Sequence, residues 1–194
     1  MGITNVSAGK PAIGGAVYVA PVSTSMPTNA SSTLGAAFTG LGYISDDGLT
    51  NEHSPESDVV KAWGGDVVLT VNEGTEDKFT FKLIEILDVN VLKFVFGDNN
   101  VTGTLATGIT LTVNGSIPET KSLVVDMVLR DKALKRIVIP NAQISEVAEV
   151  EYADSDAVGY EVTVMALPDD NGTTHTEYIL RTASGQSGQS GQST

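Results

Sequence analysis

The stretch from Leu41 to Asp98 decides the fold. It begins LGYISDDGLTNEHSPES (41–57), continues DVVKAWGGDVVLTV (58–71) and, after a short acidic segment, ends FTFKLIEILDVNVLKFVFGD (79–98). The first part is polar and turn-rich, the second alternates as strands do, and the third contains one short helical pattern. This order predicts a β-rich fold. It supplies no nucleophile–base pair, metal cluster or phosphate-binding loop.

Two kinds of strand signal follow one another in this stretch. Within 58–71, the pair Gly64-Gly65 predicts a tight turn between two strands. Further on, Phe79, Phe81 and Leu83 alternate with polar residues, and a period of two is typical of a half-buried strand.

One short helix is predicted between Asp88 and Gly97. Asp88 is a suitable N-cap, and Gly97 is a suitable stop signal. Four apolar residues between them recur at helical spacing and form a stripe that should pack on the sheet: Val91, Leu92, Val95 and Phe96.

The composition agrees with a β fold. The chain has 194 residues, long enough for one sizeable core and short for two domains. Val, Ile and Thr account for 55 residues, whereas aromatic residues make up only 6%. Stiff β-branched side chains suit a pleated surface, and 20 glycines separate short apolar runs. We expect an all-β sandwich or barrel with one flanking helix.

The remaining segments are assigned as follows. Residues 1–40 are predicted to be an N-terminal arm with a first strand at 16–20, residues 41–182 the β domain, and residues 183–194, with their Gly-Gln-Ser repeats, a C-terminal arm. Within the domain, residues 51–57 are predicted to be an exposed loop. Further strands are predicted at 109–113, 123–131, 134–139, 148–152, 158–167 and 177–182.

The charge of the chain is strongly negative. The net charge of −13 comes from 24 acidic and 11 basic side chains. Affinity for nucleic acid comes mainly from Lys and Arg that displace counterions from phosphates, so this composition argues against nucleic-acid binding. The same repulsion would let DNA pass near the protein without adhering to it.

Cysteine and targeting signals narrow the function classes further. The chain contains no cysteine, which excludes disulfide scaffolds, thiolate zinc sites and cysteine nucleophiles. The N-terminal MGITNVSAGK lacks the apolar segment of a signal peptide, and no apolar run approaches the length of a membrane span. We expect a soluble protein that is made in a cytoplasm and holds no cofactor.

A few residues could carry chemistry, each with an ordinary alternative. His53 and His175 lie near carboxylates, but a metal site normally needs three or four converging ligands, and surface histidines are the favoured interpretation. Glu149 and Glu151 are predicted to share a strand face, where two carboxylates could serve a hydrolase or simply be solvated. Trp63 could stack on a sugar or anchor the core at a hairpin end, and the core anchor is favoured.

Four segments together resemble the major tail tube proteins of bacteriophages with long, non-contractile tails. They read AFTGLGYISDDGLT (37–50), SPESDVVKAWGGDVV (54–68), TFKLIEILDVNVLKFVFGD (80–98) and KRIVIPNAQISEVAEVEYADSDAVGYEVTVMA (135–166). The resemblance implies a β-sandwich flanked by a helix. It further implies rings of six subunits whose inner sheets join into one barrel around a lumen, with the rings stacked into a tube.

The resemblance also assigns roles to parts of this chain. The flanking helix would fall on Asp88–Gly97, and the two arms on 1–14 and 183–194. A ring-stacking loop would lie near 45–58, comprising Ser45, Asp46, Asp47, Gly48, Asn51, Glu52, His53 and Glu56. The implied partners are further copies of the chain, a tape-measure protein, and tail terminator or tip proteins. The implied location is the virion tail, with assembly in the host cytoplasm.

An acidic lumen would give the negative charge a purpose, because it would keep a passing genome from adhering. The candidate lumen-facing residues are Asp126, Glu149 and Glu151. Two other functions stay open on the residues alone: a carbohydrate-binding or adhesin-type module that uses Trp63, and, less favoured, a hydrolase that uses Glu149 or Glu151.

Overall fold

The structure is a computed structural model that describes residues 6–12 and 15–181. In this part of the chain the strands are β1 Lys10–Pro11, β2 Val17–Pro21, β3 Thr39–Gly40, β4 Ile44–Lys61, β5 Val67–Leu83, β6 Val101–Thr104, β7 Gly108–Leu111, β8 Lys121–Val128, β9 Leu134–Val147, β10 Tyr160–Leu167 and β11 Thr176–Leu180. The α-helix α1 spans Val89–Phe96, and short 3-10 turns span Asp98–Asn100 and Arg130–Lys132. Residues 1–5, 13–14 and 182–194 lie outside the described residues. They include parts of the predicted N-terminal arm and the whole predicted C-terminal arm.

Most strands belong to one antiparallel sheet. Its order is β3-β2-β8-β9-β10-β5-β4, with β1 added beside β8 and β11 added beside β9. β6 and β7 form a separate two-stranded ribbon. The sheet is not closed into a barrel within the single chain. The prediction of a mainly β fold with one short helix is confirmed.

Strand β9 holds the sheet together. Its first half pairs with β11, its second half pairs with β10, and β8 pairs along its other edge. The register with β8 shifts next to Pro140, and a bulge of this kind bends a strand. Core residues change from odd to even positions across this point: Ile137, Ile139, Ala142 and Ile144. The predicted strand ended at Ile139, whereas the observed one continues to Val147.

The helix has the caps that the sequence predicts. The Asp88 carboxylate accepts a hydrogen bond from the Asn90 N–H at 2.8 Å, and the Gly97 N–H donates to the Lys93 carbonyl at 2.9 Å. Its buried side chains are Val91, Leu92, Phe94 and Val95. Phe94 was not in the predicted stripe, so the helix packs over a wider arc than its apolar spacing indicated.

Phe96 closes the contact between the helix and the sheet. It is partly buried and meets the ring of Tyr160 edge to face, with the ring centroids 5.2 Å apart. Burial is also the main reason that the pKa of Tyr160 lies above its ordinary value of 10.0. The helix therefore packs on the core face of β10.

The second face of β8 and β9 is covered by the chain itself. Val124 and Val138 are buried there, away from the main core cluster. Arg136 projects from this face and donates to the carbonyl oxygens of Asn29 (3.1 Å) and Ser32 (2.9 Å). The coil after β2 is thereby held against the sheet, so this face needs no neighbouring subunit to cover it.

Two predictions about local structure are wrong. Residues 51–57 are not a loop, because β4 runs unbroken from 44 to 61 and pairs with β5. Residues 148–152 are not a strand, because regular structure stops at Val147 and resumes at Tyr160. Glu149 and Glu151 therefore do not share a strand face. The Ala148 N–H still donates to the Glu161 carbonyl at 2.9 Å, which ends the pairing of the two strands.

Candidate functional site

The most distinctive feature is a hairpin that leaves the sheet. β10 pairs with β5 only over Lys78–Leu83, so residues 67–77 of β5 pair with β4 alone. Residues 53–77 are called the hairpin arm. At roughly 3.3 Å per residue, the part of β5 beyond the sheet is roughly 33 Å long. The predicted ring-stacking loop is thus the base and first strand of a long hairpin.

A tight turn ends the hairpin arm, as the glycine pair predicts. The Gly65 N–H donates to the Ala62 carbonyl at 2.9 Å, and the Ala62 N–H donates to the Asp66 carbonyl at 2.8 Å. Gly64 and Gly65 have backbone φ values of 135° and 98°, which residues other than glycine rarely adopt. Trp63 lies in this turn with an exposed fraction of 108%. The prediction that Trp63 anchors the core is therefore wrong.

The tip of the arm, residues 58–71, exposes apolar side chains on both faces. Val60 pairs with Leu69 and Val59 pairs with Thr70, and neighbouring positions on a strand project to opposite faces. Between 41% and 61% of each of the following is exposed: Val59, Val60, Val67, Val68, Leu69 and Val71. A contiguous exposed apolar patch of this kind marks an interaction surface.

The base of the hairpin is strongly acidic. Outside the tip, residues 44–57 and 72–77 contain seven carboxylates and no lysine. At the start of β4, residues 45–48 bulge out of the pairing between Ile44–Leu83 and Leu49–Phe81. The Ser45 hydroxyl donates to the Asp47 carboxylate there at 2.9 Å. Asp46 and Asp47 line a cavity of about 870 Å³, and Glu151 is another of its lining residues.

A buried carboxylate fixes the root of the arm. Asp77 is 1% exposed and lies where β5 leaves the sheet. It accepts hydrogen bonds from the Asn51 amide at 2.8 Å and the Thr174 hydroxyl at 2.7 Å. On the same carboxylate, the Nδ1 of His175 lies at 2.5 Å and the Nδ1 of His53 at 3.7 Å.

The electrostatics of Asp77 follow from these contacts. Burial acts to raise its pKa, but the hydrogen bonds and the charge of His175 outweigh burial and hold the pKa below the ordinary value of 3.8. Asp77 therefore stays charged and ties β5 to β4 and to the segment before β11. No local pattern pointed to this role, because Asp77 lies within an acidic run of the sequence.

The two histidines meet at this root although 122 positions separate them. Their ring centroids are 6.5 Å apart, and His175 also contacts the ring of Phe79 at 5.2 Å. The prediction of surface histidines fits His53, whose side chain is 56% exposed, but not His175, whose side chain is 17% exposed. Within the described residues, no group of three or more His, Cys, Asp or Glu side chains could hold a metal ion.

A family model described as "Phage tail tube protein" matches residues 3–189 of the chain. The chain belongs to the phage tail tube protein family. A search of curated proteins found none that matches it. Membership makes the chain a structural subunit of a phage tail tube and a component of the virion tail. In residues 6–12 and 15–181, no helix has the length and apolarity to cross a bilayer.

Of the lumen candidates in this tail tube subunit, Asp126 is already neutralised. Its two carboxylate oxygens accept bonds from the Nε and Nη2 atoms of Arg136 at 2.6 and 2.7 Å. Only 5% of the Arg136 side chain and 18% of the Asp126 side chain are exposed. The pair lies under the coil that contains Asn29 and Ser32, so Asp126 offers no free negative charge to a lumen. Glu149 and Glu151 are both exposed, in the irregular segment before β10.

Proposed function

We propose that copies of this chain join into rings of six, and that stacked rings form a tube through which phage DNA enters the host. The hairpin arm is the part that contacts neighbouring copies. The tape-measure protein and the terminator or tip proteins are further partners in this proposal. The observation that carries it is an arm of roughly 33 Å whose apolar tip has nothing to cover it within the described residues.

The physics of the arm favours a partner. A two-stranded hairpin is marginally stable alone in water. Covering an apolar side chain that is half exposed stabilises an assembly by about 1 kcal/mol. With Trp63 and the six aliphatic side chains of the tip exposed, docking the tip offers a large gain for each copy.

Removing apolar surface from the tip should abolish tube formation. We expect the triple variant Val60→Thr, Trp63→Ser, Leu69→Thr to stay folded, because these side chains contact no core, and to remain unassembled. The measurement is negative-stain electron microscopy and sedimentation of the purified protein at increasing concentration. Wild type should show tubes with six-fold end views.

A matched control removes apolar surface elsewhere. Leu105 and Ile117 are 65% and 73% exposed and lie outside the arm. The variant Leu105→Ser, Ile117→Thr should therefore form tubes as wild type does. If the triple arm variant assembles as readily as this control, the arm is not the contact between copies.

Exposed carboxylates in the lumen would keep DNA from adhering. We propose Glu149 and Glu151 for this role, because both are exposed and neither forms an ion pair with another described residue, whereas Asp126 is paired with Arg136. Phage carrying Glu149→Lys and Glu151→Lys should eject DNA several-fold more slowly, since each lysine adds an attractive contact with phosphate. The rate of genome release after receptor triggering is the measurement. The same charge reversal at the exposed Glu119 serves as control, and equal rates in both phages would refute the assignment.

An exposed tryptophan also suits a sugar-binding platform, which is the alternative function. The neighbours of Trp63 in the turn are Ala62, Gly64 and Gly65, and they offer no side-chain hydrogen bond to sugar hydroxyls. Tryptophan fluorescence titrated with a panel of sugars would show a saturable change if this alternative were correct.

A further inference from the structure

We propose that the arm tip of one copy docks into an apolar cavity at the β8–β9 turn of a second copy. Trp63 would fill the cavity, and Asp66 would face Arg130 at its rim. The pairing rests on the proposed function and specifies which surface of the neighbouring copy receives the tip.

The cavity lies between the segment before β1 and the β8–β9 turn. Its volume is about 580 Å³. It is lined by Val6, Ser7, Ala8, Lys10, Val128, Leu129 and Arg130. The lining is mainly apolar, contains two cationic side chains and contains no carboxylate.

Local bonds hold the two walls of the cavity together. The Arg130 N–H donates to the Ser7 hydroxyl at 2.7 Å, and β1 pairs with β8 through Lys10 and Val128. Neither Lys10 nor Arg130 has an ion-pair partner among residues 6–12 and 15–181. Both cations are therefore available to a carboxylate from outside the chain.

The charge of the arm selects this cavity over the others described. The tip contains Asp58, Asp66 and one cation, Lys61, so its net charge is negative, and both carboxylates are exposed. The cavities of about 870 and 420 Å³ contain lysines as well as Asp46 and Asp47, so their cations are offset by carboxylates. The cavity at the β8–β9 turn has cations and no carboxylate, which makes it the best match for an acidic tip. A fourth cavity, of about 130 Å³, is close to the size that holds one benzene ring and is too small for an indole with its flanking turn.

The tip does not fill this cavity within its own chain. Trp63 is fully exposed at the end of the arm, and no residue of the tip lines the cavity within residues 6–12 and 15–181 of the same chain. The cations of the cavity complement the carboxylates of the tip, which favours a second copy as the occupant, and this complementary charge would both steer and orient its approach.

A charge swap tests the pairing. Asp66→Arg and Arg130→Asp should each raise the concentration needed for tube formation about tenfold or more, because coupling between close interfacial charges exceeds about 1.4 kcal/mol, which is tenfold. The double variant restores opposite charges and should assemble within about threefold of wild type. The sole tryptophan gives a second readout: its emission should shift to shorter wavelength on assembly of wild type and of the double variant.

A disulfide gives an independent test, since the chain has no cysteine of its own. Ala62→Cys combined with Ala8→Cys should form covalent chains of copies when assembled tubes are oxidised, whereas the same variant kept unassembled at low concentration should not. Each single variant, oxidised in the same way, is the control for unspecific coupling.

The possible outcomes separate the docking from the function. The docking would be overturned if tubes form normally, the double charge variant shows no rescue, and the cysteines introduced at positions 62 and 8 form no disulfide. That result would leave the proposed tube function standing. Wild-type protein that forms no tubes, alone or with its native tail proteins, would overturn both. Charge rescue with specific coupling would establish the pairing.

Discussion

Asp126→Ala is expected to lower the free energy of unfolding by about 3–5 kcal/mol, because it leaves a buried guanidinium without its counter-charge. Arg136 is 4% exposed and makes a two-pronged pair with Asp126. Its remaining bonds go to the carbonyl oxygens of Asn29 and Ser32 and to the Ser32 hydroxyl, which do not neutralise a charge. Urea unfolding followed by circular dichroism is the measurement.

The matched control is a pair that also involves β9. Lys135 and Glu177 are 2.7 Å apart, and their side chains are 23% and 35% exposed. Glu177→Ala should cost less than about 1 kcal/mol, because water screens the partner that remains. Equal losses in the two variants would show that burial of Arg136 does not determine the effect. Replacing both members of the buried pair, Asp126→Leu with Arg136→Met, should recover much of the loss.

The second large effect is expected at the root of the arm. Asp77→Ala removes the acceptor of the Asn51 amide, the Thr174 hydroxyl and His175, and leaves those donors without their partner. The expected loss of unfolding free energy is about 3 kcal/mol, since hydrogen bonds to a charged group contribute more than neutral ones. The same change should loosen the direction of the arm and reduce tube formation relative to wild type.

The pH dependence of Asp77 has a defined sign. Its pKa in the folded protein is lower than the ordinary 3.8, so ionised Asp77 stabilises the fold above that value. This stabilisation is lost as the pH falls below 3.8 through the folded-state pKa. Asp77→Asn should therefore show a flatter loss of stability than wild type over this acidic range, measured by thermal unfolding at a series of pH values.

Asp169→Asn provides the comparison for that experiment. Bonds from the backbone N–H groups of Thr173 and Asn171 lower the pKa of Asp169, but this carboxylate lies in an exposed turn. Its substitution should change the acid profile much less than Asp77→Asn does. Superimposable profiles for the two variants would mean that the buried cluster contributes nothing special to acid stability.

Local signals predicted the elements whose stability is local. The helix between Asp88 and Gly97 has its own caps, and Gly64-Gly65 supply the positive φ values of the turn. The alternation at Phe79, Phe81 and Leu83 likewise reports one buried face, and all three are core residues. Such features need little information from the rest of the chain.

The first strand of the arm could not be predicted because pairing alone makes it a strand. NEHSPES has the composition of a loop, and Pro55 cannot donate a ladder hydrogen bond. In the structure Pro55 lies in β4, opposite Thr75 of β5. β4 is the edge strand of the sheet, and an edge strand tolerates a missing donor. Acidic residues and proline on an edge also discourage uncontrolled strand pairing.

The residues of the candidate site were only partly predictable. His53, Asp77 and His175 are far apart in sequence, and only the contact between the arm root and the segment before β11 brings them together. Trp63 was misjudged because a large aromatic residue usually adds to a core. In this chain the aromatic residue lies instead at the exposed end of the arm, where we propose that another copy covers it.

The ladder of residues 53–77 has a kinetic consequence. These residues hydrogen-bond across one hairpin and to no third strand of the described chain, so their amides should exchange with solvent far faster than those of β9. Docking would then freeze a loosely held segment, and its lost entropy opposes the first encounters between free copies. Growth should consequently show a lag that a preformed end removes, so that elongation from a seed outruns spontaneous nucleation.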